Sequence, residues 1–325
     1  MANLKKIAGF DVSKSFFDVC ILRDGKEQSL RFNYDPEGLS SLITALGEDM
    51  YCVMEATGPY HVRLAFYLYQ HGYKVSVINP LSIKRFSQMM MTRAKTDKAD
   101  AKVIAAYGEL KEWDLWQPPA AHVIKLQQLN AIEQMLQKHH TAASNQLEAF
   151  EATGNIDKEI KKIILKELSN LKKQLDSVTK QIDAIIELHY KHMLANITSI
   201  PGLGKKAATM LITITDGFKK FENYKQISAY LGLSPRIYQS GTSVKGKSRI
   251  CKMGAGKMRA VLYMCTWSAK TCNKACKELY ERIIAKGKAK RLALIAVANK
   301  LIKQAFAIAT NNTIYQPNYL KNICF

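Results

Sequence analysis

Four carboxylates and one serine carry the chemistry that this 325-residue sequence offers. Asp11 closes an apolar run in GFDVSKSFFDV, Glu55 closes another in VMEATGPYH, and Asp97 and Asp100 stand three apart in KTDKADA. Residues three apart at a helix start share one face, so Asp97 and Asp100 can turn toward a common point. If the strands that end in Asp11 and Glu55 lie side by side, all four acids meet at one sheet edge. Such a group repels itself unless a divalent cation neutralises it, and an oxygen-only donor set suits Mg2+ or Mn2+. The chemistry expected is two-metal phosphoryl transfer, one ion activating the attacking oxygen and the other stabilising the leaving one. Any one acid alone reads as a solvated strand end, and Asp97 as the cap of the helix that follows. Four at these positions favour the site; Asp18, inside the second run, is a candidate decoy.

The serine lies far downstream. Ser240 precedes Gly241 in RIYQSGTSVKGKSRICKMGAGKMR, among Arg236, Lys245, Lys247, Arg249, Lys252, Lys257 and Arg259 and no acid. A hydroxyl among so many cations and flexible turns suits phosphate, against the plainer reading of a solvated basic loop. No histidine follows His192, so a Ser-His pair within this region is excluded. Any activation of the Ser240 hydroxyl would have to come from outside the region, as from the metal-bearing acids of the same chain or a partner's, with Mg2+ lowering the hydroxyl's pKa and the cations steadying charge on a phosphate. Upstream, Ile200 to Lys206 reads IPGLGKK, the PGxGxK form of a helix-hairpin-helix. Gly202 and Gly204 would let backbone amides approach a phosphate, with Lys205 and Lys206 adding charge, a contact that grips the nucleic-acid backbone without reading bases. The plainer alternative is a Gly-rich helix connection.

The formal charge of +21 is unevenly spread. Residues 196–325 hold 23 Lys or Arg against Asp216, Glu222, Glu278 and Glu281, a balance of +19, while residues 1–195 hold 25 cations and 23 acids. A charge confined to the last region is that of a surface following a polyanion. The N-terminus lacks an apolar leader core, and the most apolar late segment is interrupted by Lys300 and Lys303, so no membrane association is expected and the protein reads as cytosolic. Seven cysteines without a CxxC pair suggest reduced thiols, and no zinc set completes around Cys272 and Cys276.

The elements that must position these groups follow from periodicity. Residues 6–12, 16–22 and 28–32 read as antiparallel strands, with Asp24-Gly25 as a hairpin turn. A helix over 36–46, a strand over 51–54, a helix over 60–71, a strand over 74–78 and helices over 81–91 and 98–110 follow. That order is the order of a ribonuclease-H-like domain, here residues 1–112. Residues 113–195 read as long helices: Leu129, Ile132, Leu136, Ala143 and Phe150 form one stripe, and Ile164, Leu168, Leu171, Leu175, Val178, Ile182 and Ile185 a coiled-coil seam, broken at Thr153-Gly154-Asn155. An antiparallel hairpin or oligomerisation arm is expected. Residues 196–325 read as a mainly helical basic domain, with helices over 258–273, 277–286 and 291–309.

In combination and order, FDVSK, MEATGPYH, AKTDKADA, IPGLGKKAA, YLGLSPR and SGTSVKGKSRICKMGAGKMR resemble the DEDD transposases of the insertion-sequence one-ten family, related to the Piv DNA invertases. The resemblance covers nearly the whole chain. It implies a RuvC-like N-terminal domain, a helical arm and a C-terminal transposase domain, and a site-specific DNA recombinase acting on donor and target DNA. It also implies a non-coding bridge RNA as guide, metal-binding acids at Asp11, Glu55, Asp97 and Asp100, and Ser240 as nucleophile, forming a covalent phosphoserine bond to DNA. A dimer is the minimum for two duplexes, and a tetramer is compatible; the bacterial nucleoid is the implied place of action. One departure is local: many relatives carry Gly-Gly after the serine where this chain has Gly241-Thr242, which stiffens the loop. Two other readings remain at this stage. One is a junction-resolving metal nuclease in which water attacks, the other a non-catalytic nucleic-acid-binding protein. An actin-like ATPase, which also opens on a strand-borne Asp, would need a second glycine-rich phosphate loop that the sequence lacks.

Overall fold

A computed structural model describes residues 6–91, 96–110, 114–236, 239–240, 244–245 and 249–317, with the side chains of residues 239, 240, 244 and 245 excepted. The chain divides into two compact units, Met1–Pro119 and Ala120–Phe325.

The first unit is a mixed five-stranded sheet with helices on both faces, consistent with the ribonuclease-H-like order expected. The strands are β1 (Ile7–Val12), β2 (Phe16–Arg23), β3 (Lys26–Asn33), β4 (Tyr51–Glu55) and β5 (Lys74–Ile78), in the spatial order β3-β2-β1-β4-β5. The first three are antiparallel, while β4 and β5 run parallel to β1. The helices are α1 (Pro36–Leu46), α2 (Tyr60–Gln70), α3 (Pro80–Met89) and α4 (Asp97–Glu109). Asp24 adopts φ 52° and Gly25 φ 75°, the left-handed pair that a two-residue hairpin turn requires.

Period-two alternation sorts the strand side chains onto two cores. Ala8, Phe10, Val12, Phe17, Val19, Cys52 and Met54 pack with Leu39, Leu42, Leu64 and Leu68 of α1 and α2. Ile7, Cys20 and Val53 pack on the other face with Ile83 and Phe86 of α3 and with Ala101, Ile104 and Ala105 of α4. Asp11, Asp18 and Glu55 have the same parity as Ile7, Cys20 and Val53, so the alternation assigns all three to the face that α4 covers. Gly9 lies on that face too, and its missing Cβ admits the α4 backbone at Ala101 and Ala105.

The second unit is helical: α5 (Ala121–Ala152), α6 (Lys158–Thr198), α7 (Lys205–Thr215), α8 (Tyr224–Tyr230), α9 (Gly256–Cys272), α10 (Lys274–Ala285) and α11 (Lys290–Asn311). α5 and α6 run antiparallel, with His122 stacked on His189 at 3.9 Å near one end and Lys161 paired with Glu151 at 2.7 Å near the other. The expected stripes are used unevenly: Leu136, Leu171, Val178 and Ile182 are buried and Ile164, Leu168, Leu175 and Ile185 half-buried, whereas Ile132 and Phe150 are exposed. α6 bends at Tyr190, which leaves helical geometry at φ −135°; its hydroxyl donates to Asp216 at 3.4 Å. The inner parts of both long helices share one core with α7, α9 and α11, running from Leu126 to Ile308. α11 is long and apolar enough to cross a membrane, but Leu294, Val297, Leu301, Ile302 and Ala305 form the middle of that core.

Between α8 and α9, where the sequence suggests a flexible loop, the backbone forms two nested antiparallel pairs. β6 (Pro235–Arg236) pairs with β9 (Arg249–Ile250), and β7 (Gln239–Ser240) with β8 (Val244–Lys245). The ribbon's base is tied down: Cys251 donates to the Ser234 carbonyl at 3.0 Å and Lys252 to that of Gly232 at 3.1 Å.

Candidate functional site

The acidic site is built from the end of the β1 and β4 strands and the start of α4. Phe10 and Met54 are register partners in the parallel pair, so Asp11 and Glu55 follow as neighbours one step on. Across the other edge of β1, Asp11 lies directly opposite Asp18, and Asp18 directly opposite Arg31 on β3. One row of side chains thus runs Glu55, Asp11, Asp18, Arg31 across four strands.

α4 brings the remaining two acids. Its cap is Thr96, whose hydroxyl accepts from the Ala99 amide at 3.2 Å, so Asp97 is not the cap and lies with Asp100 in the first turn. Burial pushes the Asp11 carboxyl up to about 6, and Asp100, Asp97, Glu55 and Asp18 push in the same direction through like charge. Every acid expected at the site therefore acts on Asp11, with Asp18 added.

Asp18 has a partner of its own. It is buried, and Arg31 holds it with Nε 3.1 Å from each carboxylate oxygen and Nη2 2.8 Å from Oδ2. The same Nη2 reaches Asp97 Oδ2 at 3.2 Å, and the guanidinium lies 4.3 Å from the centre of the Phe16 ring. Arg31 was not expected from the sequence. The signal that could have found it is the Asp24-Gly25 turn, because a two-residue turn sets the register and puts residue 18 opposite residue 31.

The donor set is oxygen-only and collectively negative, which fits a hard divalent cation in kind. Yet among the described residues no three His, Cys, Asp or Glu side chains converge closely enough to hold a metal ion. Asp18 and Asp97 share one guanidinium, that of Arg31.

In the second unit the basic residues fall into distinct environments. Arg236 and Arg249 are exposed and stand directly opposite each other across the β6–β9 pair. Like charges so placed destabilise a ribbon unless an anion lies between or over them. Arg259 is half-buried and donates Nη1 to the Leu231 carbonyl at 2.7 Å, fastening the ribbon's base. Lys252 and Lys257 are exposed; partial desolvation of the ammonium, with Lys138 and Lys206 as like charges, lowers the Lys257 pKa. Lys205 pairs with Asp183 at 2.7 Å. Gly202 at φ 100° presses against α9, where a Cβ would meet that of Ala269 at 2.6 Å, so packing alone explains this glycine. Gly204, at the start of α7 with no side-chain cap, has open space around it. Ser240 lies on β7 opposite Val244. Its side chain, that of Lys245, and all of Lys247 lie outside the described residues.

Comparison with known proteins gives concordant results. Residues 8–150 match the DEDD-type transposase family of IS110 elements, and residues 194–281 the transposase family IS116/IS110/IS902. The pilin gene-inverting protein of Moraxella lacunata is 30% identical over 316 residues, covering 95% of this chain and 97% of that protein. Its counterpart in Moraxella bovis is 30% identical over 317 residues with the same coverage. The transposase for insertion sequence element IS1328 of Yersinia enterocolitica is 22% identical over 97% of this chain and 99% of its own.

Proposed function

This chain belongs to the IS110 family of transposases, enzymes that cut and rejoin DNA, and from that premise we propose that it is a site-specific recombinase of a mobile element whose nucleophile is Ser240. The observation that supports this reading most is the convergence on Asp11 of the charge of Glu55, Asp97 and Asp100. A divalent cation, Mg2+ or Mn2+, held by those four carboxylates would supply Lewis-acid stabilisation of charge at the scissile phosphate.

The chain's own residues supply the rest. The Ser240 hydroxyl loses its proton to a carboxylate and its Oγ attacks phosphorus. An Oγ–P bond replaces one P–O bond of the DNA backbone, and the departing sugar oxygen takes up the proton that the carboxylate accepted and leaves as a hydroxyl. The phosphoserine bond conserves the strand's bond energy, so attack by a second strand's hydroxyl reverses the step and rejoins DNA. Arg236, Lys245, Lys247, Arg249, Lys252 and Lys257 grip phosphates along the ribbon and the α9 start, with Gly204, Lys205 and Lys206 at the α7 start and Gly202 and Arg259 shaping the contact.

On this reading residues 1–112 are the RuvC-like metal domain, 113–195 an oligomerising helical arm and 196–325 the basic transposase domain with its helix-hairpin-helix. The partners are donor and target DNA, a second copy of the chain in a dimer or tetramer, and a non-coding bridge RNA that reads sequence by pairing, which relieves the protein of base readout. Action in the bacterial cytoplasm, at the nucleoid, follows.

The test uses the full chain with donor DNA, Mg2+ and the co-purified RNA. Wild type is expected to form a protein-DNA adduct that survives denaturation; Ser240→Ala and Asp11→Ala each abolish it. Cleaved ends with no adduct would instead establish attack by water. Activity independent of Mg2+ and of Asp11 would remove the acidic site from the mechanism.

A further inference from the structure

Arg31 occupies a position that the reaction scheme does not use. Its guanidinium makes two unequal attachments. Toward Asp18 it presents Nε and Nη2 at 2.8 to 3.1 Å, and that carboxylate is buried, with side-chain exposure of 7%. Toward Asp97 it has one contact, 3.2 Å from Nη2, between side chains 53% and 51% exposed. The first attachment is forked and shielded from water, and breaking it would strand a buried carboxylate. The second is solvent-screened and belongs to the weak class of surface ion pairs. Arg31 is therefore anchored on Asp18 and only leans on Asp97.

We propose that Arg31 is a tethered counter-cation that holds Asp97 in the metal-free protein and yields it when a divalent cation binds. The proposal rests on the metal-binding reading above. A divalent cation that Asp97 and Asp11 would help to hold would compete with a positive charge already at Asp97, whereas Asp18, being held by Arg31, would stay out of the ligand set. Arg31 remains on Asp18 after the exchange, and its released Nη2 edge faces the site. In this way two acids side by side, Asp11 and Asp18, acquire different roles: one is left for metal and the other is committed to arginine. Arg31 is a positioning residue, acting through Asp97.

The experiment measures Mn2+ binding to the full chain by calorimetry and by loss of the free Mn2+ EPR signal, with no DNA and no turnover. Because Arg31→Gln alone would leave Asp18 buried and unpaired, the key comparison is Asp18→Asn with Asp18→Asn/Arg31→Gln. The double variant is expected to bind Mn2+ about threefold more tightly, the release of one weak ion pair. Lys102→Gln removes an equal charge from α4 without touching Asp97, since Lys102 pairs with Glu27, and is expected to shift affinity less. Arg31→Lys, which keeps a charge for Asp18 but has no fork to span both acids, serves should the double variant misfold, and is expected to tighten binding over wild type. Unchanged or weaker binding on losing Arg31, or an equal shift in Lys102→Gln, overturns the proposal. Absence of any Mn2+ binding sensitive to Asp11→Asn would overturn the metal reading itself, and this proposal with it.

Discussion

Gly9 on β1 and Ala105 on α4 meet backbone to backbone: a Cβ on Gly9 would lie 2.2 Å from the Ala105 amide nitrogen and 2.6 Å from the Ala101 carbonyl oxygen. Helix and strand lie this close because Gly9 has no side chain and α4 meets it with backbone at two alanines. The consequence reaches function, since α4 carries Asp97 and Asp100 in its first turn and β1 carries Asp11 two residues after Gly9. The distance between the two sets of acids is set by a position with no chemistry of its own.

Gly9→Ala should therefore disable the enzyme without altering an acid. The clash is with backbone on a rigid helix, so α4 must lift. A loss of about 3 kcal/mol is expected by urea denaturation, with DNA affinity of the basic unit retained and adduct formation lost. Normal stability together with normal activity would show that the α4 spacing is not critical.

Asp11 makes the metal-free protein less stable as pH rises. Its folded pKa, about 6, exceeds the ordinary 3.8, so the native state binds the extra proton. Stability is then greatest below about pH 4 with respect to this group and falls as pH climbs through 6. Asp11→Asn should remove that dependence and, at pH 7 with chelator present, stabilise the protein by about 1–2 kcal/mol once solvent screening is allowed for. The same variant should lose adduct formation. Thermal unfolding from pH 4 to 7.5 decides it: parallel curves for variant and wild type would refute the assignment.

The opposed arginines of the ribbon should report on phosphate contact. Arg236→Gln and Arg249→Gln are each expected to weaken DNA binding for all sequences alike and to lower the slope of log affinity against log salt by about 1. Relief of the Arg–Arg repulsion should leave stability unchanged or slightly higher. A slope that does not move would make them ordinary surface charges.

The two glycines of IPGLGKK should separate. Gly202→Ala forces a side chain into φ 100° and against Ala269, with an expected loss of about 2–4 kcal/mol. Gly204 has φ −78° and open surroundings, so Gly204→Ala should cost under about 1 kcal/mol and act, if at all, on DNA affinity. Denaturation midpoints and a filter-binding titration on both variants distinguish structure from contact.

The alternation into an apolar run over 6–12, the apolar run over 51–54 and the Asp24-Gly25 turn are local signals, and the strands they imply lie within a residue or two of those observed. The helices from Pro36 to Leu46 and around Asp97 to Glu109 were legible for the same reason. The pairs β6–β9 and β7–β8 were not, since Gly, Ser and Lys are frequent among residues 235–250 and the outer pair depends on the clamped base at Ser234 and Cys251.

What the sequence by itself determined was where the acids fall along the chain, their parity on the strands and the segregation of charge into residues 196–325. Each follows from spacing along the chain, and spacing is written in it. Tertiary structure alone decided how those groups are used. Asp18 is taken up by Arg31 while Asp11 is left among like charges, Gly202 is consumed by α9, and Arg259 holds a carbonyl instead of facing solvent. These outcomes depend on which backbones approach within a few ångströms, and residues distant in sequence carry no local mark of such an approach.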